Sequence, residues 1–363
     1  MDFAKTEAAQ DLSGLVRTIV DSVCTPDHQR RLDGLDQRFD ETLWEKLIHA
    51  DILNTAVPEN VGGEGFGVLE QTAIMTGLGR QLAAVPYLES VVLGAGALSR
   101  FGSDELRRDW GAPAVAGLRV LTVALDGELG QGPVLAATSD GGFRLTGTRT
   151  QVPYGPVADA YLVPAETDSG VKVFLVTSDE ASVTPLKTTG ENSSAELELD
   201  GVELPASRVV GGTDVVAWLS THRAVGLSAY QLGVLERALE ITAEYARTRE
   251  QFDRPIGSFQ AVAQRLADGY IDIQGLRLTM QQAAWRLSED LPADVEVATA
   301  AFWAAEAGHR MAHTAVHVHG GVGIDKDVPV HRYFITAKQT EFALGGATAA
   351  LRVIGRDLAD TPA

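Results

Sequence analysis

A chain of 363 residues, 45% hydrophobic and 22% charged, is long enough for two or three domains and for a sizeable core. Its formal net charge of -19 repels nucleic-acid backbones and anionic lipid, and no concentrated basic patch offsets it, so a nucleic-acid or peripheral-membrane role is excluded. Cys24 is the single cysteine, which excludes an internal disulfide framework and a thiolate metal cluster and predicts a reducing, cytoplasmic setting.

The opening run Met1-Asp2-Phe3-Ala4-Lys5-Thr6-Glu7 has no basic region leading into an apolar one, so no secretory signal is expected. Leu43-Trp44, Leu47-Ile48 and then Leu69, Ile74 and Leu78 recur at nearly helical spacing, punctuated by Pro58 and the Gly62-Gly63-Glu64-Gly65 cluster. From about Leu118 the pattern shifts to short alternating runs, Val120/Thr122/Ala124 and Ala160/Leu162, which predict strands. Ala195, Leu197 and Leu199 are expected on one face of a strand with Glu196, Glu198 and Asp200 on the other, and Gly201 is expected to turn the chain. Pro205 and Gly211-Gly212 close the β-rich region, and Thr213 or Asp214 suits the N-cap of the next helix.

Two long amphipathic helices follow. One carries Leu227, Tyr230, Val234, Ala238, Ile241 and Tyr245, and the other Leu266, Tyr270, Ile273, Leu276, Met280, Ala284 and Leu287. Short connections, Gln251 to Ser258 and Ser288 to Val295, predict an antiparallel bundle. The most apolar stretch, Ala298 to Val318, is broken by Glu306, His309, Arg310, His313 and His317, which suits a helix in protein and not in lipid. The fold class is therefore α+β: an N-terminal helical domain (1–116), a middle antiparallel β-barrel or sandwich (117–212) and a C-terminal helical bundle (213–363).

The segment Arg249-Glu250-Gln251-Phe252-Asp253-Arg254-Pro255-Ile256-Gly257-Ser258-Phe259-Gln260 resembles the acyl-CoA dehydrogenase signature R-x-x-F-G-x-P-I-x-x-F-Q. Val57-Pro58-Glu59, Leu78-Gly79-Arg80, Leu145-Thr146-Gly147 and His319-Gly320-Gly321-Val322-Gly323 match the same family in the same order, and the resemblance extends from Trp44 to Arg356. It implies FAD as cofactor, an acyl-CoA substrate and an electron-transferring flavoprotein as acceptor. It also implies that each subunit both owns a flavin pocket and lends residues to its neighbour's.

By that resemblance Arg249 and Gln260 are expected at the pyrophosphate and adenosine end of a neighbour's FAD, with Phe252 and Phe259 packing beside it and Gly320 and Gly321 allowing close backbone approach. His317 stands where the family usually has Gln, and Asp253 where it has Gly. The owned pocket departs further. Val123 to Gly130 replaces an L-T-E-P-x-A-G-S-D-like segment, and Leu145 to Pro153 replaces L-N-G-x-K-x-W-I-T, so that Gln151 stands for the stacking aromatic and Pro153 offers no backbone N–H.

The family's reaction needs a carboxylate to take the α-proton of the thioester. Aligned through Thr340-Glu341, one family position for that base is Leu344; aligned through Leu232-Gly233, the other is Arg223. No catalytic residue is expected in this chain. Glu341 and His222 are the side chains nearest in sequence that would serve an autonomous acyl-CoA dehydrogenase or related flavoenzyme instead, a flavin-free scaffold is a further alternative, and the histidines are not expected to bind metal. The pattern resembles the partner subunit of heteromeric α2β2 acyl-CoA dehydrogenases of actinobacterial steroid degradation. It implies activity only with a homologous catalytic subunit, on a substrate such as a steroid-derived acyl-CoA.

Overall fold

The computed structural model describes residues 6–127 and 130–360. Most of the opening run, and Glu128 and Leu129 of the aligned segment, lie outside the described residues. Helices come first: α1 Glu7–Val23, α2 Pro26–Leu32, α3 Glu41–His49, α4 Ile52–Thr55, α5 Val68–Arg80, α6 Gly96–Phe101, α7 Asp104–Leu106 and α8 Ala112–Val115. Thr6 and Asp40 cap α1 and α3 by accepting from the N–H of Ala9 and Leu43, each at 3.0 Å. The expected apolar face of α3 is buried through Leu43, Trp44 and Leu47. Before α6 runs a π-helical segment, Tyr87–Ala95, buried at every position, where no amphipathic period exists to be read.

The strands are β1 Leu121–Val123, β2 Val134–Ser139, β3 Gly142–Pro153, β4 Ala160–Thr167, β5 Gly170–Thr177, β6 Ser182–Leu186, β7 Ser194–Pro205 and β8 Val209–Gly211. They form one eight-stranded sheet in the order β6-β7-β3-β2-β4-β5-β8, with β1 beside β4. The sheet is mixed where a purely antiparallel one is expected. β5 pairs antiparallel along β4, while β1 and β2 share the other edge of β4 and both run parallel to it. β4 is also buried on both faces from Ala160 to Ala165, so its alternation carries no solvent face.

β7 shows the expected alternation, with Ala195, Leu197 and Leu199 buried and Glu198 and Asp200 exposed. Gly201 is not a turn. Leu145 pairs with Val202 and Thr146 with Asp200, so Gly201, at φ +67°, is the extra residue of a β-bulge within a continuous strand. Only a residue without Cβ adopts that backbone without strain, and the bulge bends the strand without ending it.

The remaining elements are α9 Thr213–Thr248, the hairpin strands β9 Glu250–Gln251 and β10 Arg254–Pro255, α10 Gln260–Ser288, α11 Asp294–His319, α12 Val330–Ala343 and α13 Gly346–Asp360. Thr213 is the first residue of α9, and the Asp214 carboxylate reaches back to accept from Gly212 N–H at 3.2 Å. Of the apolar stripe expected on α10, Ile273, Leu276, Met280 and Ala284 are buried, but Tyr270 is 58% exposed. The first turns of α10 are largely exposed, so their apolar residues have no core to face within this chain.

Packing divides the chain into two compact units. One comprises the described residues up to Arg31, Val68–Ala83 and those from Ala224 onward; the other comprises Leu32–Gly67 and Ala84–Arg223. The sheet unit has its own core around Leu145, Tyr161, Val163, Phe174, Val176 and Leu197. In the helical unit α5 and α9 approach backbone to backbone: a Cβ on Gly79 would lie 2.1 Å from Tyr230 O, and one on Gly233 2.0 Å from Thr76 O. Among the described residues no helix is long and apolar enough to cross a membrane.

Candidate functional site

In the helical unit, α9 ends one residue before Arg249, and β9 and β10 then pair antiparallel across Phe252-Asp253. Both loop residues are left-handed, at φ 55° and 63°, as a two-residue type I′ hairpin demands. Asp253 thus holds the conformation that a glycine would hold, which an Asp tolerates better than most residues. Phe252 presents its ring to solvent at 86% exposure, edge-on to Phe259 at 6.1 Å, and the Arg254 guanidinium lies 4.1 Å over the Phe259 ring.

His319 stacks on Tyr245 at 4.2 Å, which joins the end of α11 to the last turns of α9. That contact brings His317, Gly320 and Gly321 to the end of the bundle that carries Arg249 and the hairpin. His317, Gly320, Gly321, Arg249 and Gln260 are all exposed. Gly320 has φ +62°, and nothing in the chain lies within 4 Å of a Cβ placed on it or on Gly321. Neither the Arg249 guanidinium nor the Gln260 amide is bonded to another described side chain or backbone group. This end of the bundle is a set of uncommitted donors around open glycines.

The sheet unit shows the opposite condition. Arg223 binds Asp126 in a fork, with Nη2 2.5 Å from Oδ2 and Nη1 3.4 Å from Oδ1. The residue aligned with one family base position is thereby bonded to the segment aligned with a flavin-binding stretch. Gln151 lies exposed at φ +53° in an irregular part of β3, where the register to β7 slips between Arg149 and Val152. The Pro153 carbonyl accepts from the Thr122 hydroxyl at 2.6 Å. Arg149, half-buried, has its pKa lowered because burial strips water from its charge, and Asp126 and Glu166 only partly offset that.

Glu89, in the π-helical segment, has no counterpart in the sequence reading. It is buried, and desolvation pushes its carboxyl up to about 7 against the pull of its own backbone N–H and of Arg223. Its only sequence signal is one acidic residue in the apolar run Tyr87-Leu88-Glu89-Ser90-Val91-Val92-Leu93. His222 stacks on Trp218 at 3.9 Å and contacts the Trp218 carbonyl through Nδ1 at 2.9 Å. Burial first, and the charge of Arg100 second, hold it down to about 4, so it stays neutral near pH 7.

Leu344 caps the end of α12, and Glu341 lies within that helix. Lys338 Nζ contacts Glu341 Oε2 at 2.5 Å and His309 Nδ1 at 2.9 Å. Glu341 is therefore already engaged in an ion pair within its own helix. Among the described residues no three His, Cys, Asp or Glu side chains are grouped to hold a metal ion.

Comparison with known proteins matches residues 6–118 to the acyl-CoA dehydrogenase N-terminal domain and residues 211–359 to the acyl-CoA dehydrogenase C-terminal domain. The acyl-CoA dehydrogenase FadE27 of Mycobacterium tuberculosis is 69% identical over the whole of both chains. The chain belongs to the acyl-CoA dehydrogenase family. A chain of the ChsE4-ChsE5 complex from Mycobacterium tuberculosis superposes with a TM-score of 0.98 at 70% identity, covering 100% of each chain. The Tcur3481-Tcur3483 steroid acyl-CoA dehydrogenase follows at 0.91 and 37%, covering 98% of each. Members of this acyl-CoA dehydrogenase family are flavoprotein oxidoreductases acting on CH–CH bonds.

The residues fit a flavin unequally. Arg249 and Gln260 are free to donate to phosphate oxygens outside the chain, and the open glycines leave room for them to be approached. In the sheet unit Arg223, at an aligned base position, is already bonded to Asp126, and Pro153 has no N–H to give.

Proposed function

We propose that this chain is the base-less subunit of a heteromeric acyl-CoA dehydrogenase and completes the FAD site of a homologous catalytic partner. The observation that carries the reading is the forked contact of Arg223 with Asp126 at one aligned base position, while Arg249 and Gln260 face outward and uncommitted. Leu344, at the other aligned position, is an aliphatic side chain with no proton to exchange. FAD, when bound at the shared site, supplies the hydride acceptor for α,β-dehydrogenation. This chain's part is to hold the cofactor: Arg249 by a charged fork on phosphate oxygens, Gln260 by amide hydrogen bonds, and Phe252 and Phe259 by apolar contact. His317, Gly320 and Gly321 form the backbone side of the same end.

The name of the Tcur3481-Tcur3483 steroid acyl-CoA dehydrogenase supports a steroid-derived acyl-CoA as substrate, and the paired names of both complexes support an assembly of two unlike chains. The family resemblance supports an electron-transferring flavoprotein as acceptor, and the charge and single cysteine support a cytoplasmic setting. Domains at 1–116, 117–212 and 213–363 are part of the same reading.

Co-expression with a neighbouring acyl-CoA dehydrogenase gene, followed by flavin counting, tests it. One FAD for every two chains is expected, and one for every chain overturns the reading. In that complex Arg249→Ala with Gln260→Ala is expected to lower FAD content at least about tenfold at fixed cofactor concentration, the cost of losing charge-assisted phosphate contacts.

A further inference from the structure

The helical unit contains a cavity of about 280 Å³ walled by α1, α5, α9 and α10. Its interior is apolar, made by Ala73, Leu232, Met280 and Ala284 with the Trp285 ring. Leu232, Met280 and Ala284 are buried to 4% exposure or less, so the walls are fixed by core packing. At a water's share of about 30 Å³, the space corresponds to roughly nine water-sized groups, yet such walls give water few partners.

The polar groups of the cavity are mostly donors. Arg277 spends one nitrogen, Nη2, on Glu236 at 2.5 Å, and Glu236 is shared with Arg80 at 3.0 Å. The other Arg277 nitrogens, the Gln281 amide and the Trp285 N–H have no hydrogen-bond partner among the described residues. The Thr72 and Thr76 hydroxyls spend their protons on the carbonyls of Leu69 and Thr72. Glu289 is the one carboxylate in the lining, and it is exposed.

We infer that this cavity binds a compact amphipathic acid, its apolar body against Met280 and Trp285 and its carboxylate on Arg277 and Gln281. An apolar body fills space that water solvates poorly, and the acid gives the partly exposed Arg277 and Gln281 donors a charged acceptor in place of solvent. A cationic ligand would meet Arg277, and a purely apolar one would take solvent from the donors without replacing it.

The test uses the purified full chain and 1-naphthoate, a bicyclic acid of the right size, followed by quenching of tryptophan fluorescence and by the thermal midpoint. Saturable binding of one molecule per chain is expected. Ala284→Phe, which fills the cavity, is expected to abolish it; if that variant does not fold, Ala73→Leu takes its place. Gln281→Ala and Arg277→Met are expected to weaken 1-naphthoate by about tenfold while leaving the uncharged 1-naphthalenemethanol nearly unchanged. Three results would each overturn the inference: no saturation at millimolar 1-naphthoate, undiminished binding in a folded cavity-filling variant, or binding only after the residues before Thr6 are deleted. FAD content of the co-expressed complex is expected to be the same in all these variants, so it reports on the shared cofactor site separately.

Discussion

Buried charge decides the behaviour of single residues in the sheet unit. Glu89 has a folded-state pKa of about 7 against an ordinary 4.5, so folding takes up a proton between those values. The fold is therefore most comfortable with Glu89 below about pH 4.5 and loses that contribution as pH rises through 7. Glu89→Gln keeps the shape and removes the titration. It is expected to stabilise the protein by about 1 to 3 kcal/mol at pH 8 and by little at pH 5, read as the difference in urea midpoint between the two pH values. An unchanged midpoint at pH 8 would show that the carboxylate is solvated or fully paired.

Elements meet through features that sequence patterns record unevenly. Gly79 and Gly233 let α5 and α9 touch backbone to backbone, and a methyl group at either position collides with a carbonyl oxygen. Gly79→Ala or Gly233→Ala is expected to cost about 3 kcal/mol or more, because the helices must separate and reopen packing around them, whereas Gly14→Ala, with nothing within 4 Å, should stabilise α1 by a few tenths to about 1 kcal/mol. Equilibrium unfolding of the three variants checks the contrast.

The order of helices and strands was legible because Leu43, Leu47, Leu197 and Leu199 sit on one-sided elements with a clear period. Gly201 misled because a bulge and a turn demand the same left-handed residue. The segment Tyr87–Ala95 was silent because burial on every side erases periodicity. The hairpin around Phe252 was legible as a motif, while the partnership of Arg223 with Asp126 joins residues 97 apart and has no local signature. Glu89 was missed for a like reason, since its environment is set by chain segments distant in sequence.

At the scale of the molecule, the helical unit carries apolar residues that the chain does not cover. Phe252, Tyr270, Ile271, Phe342, Leu351 and Leu358 are between 51% and 86% exposed. Of these, Tyr270 and Ile271 are neighbours on α10, and large apolar side chains left exposed on one element are where a partner chain gains most from burial. Tyr270→Glu with Ile271→Glu is expected to weaken association with the co-expressed partner at least about a hundredfold. Size-exclusion chromatography of the mixed chains measures it, and circular dichroism of the variant alone should match the parent.

The pairing of Arg223 with Asp126 also limits what position 223 can hold. A carboxylate placed alone at position 223 would stand against Asp126 and in the field of Glu89, three acids where one cation now reconciles two. A carboxylate there would therefore need changes at neighbouring positions as well.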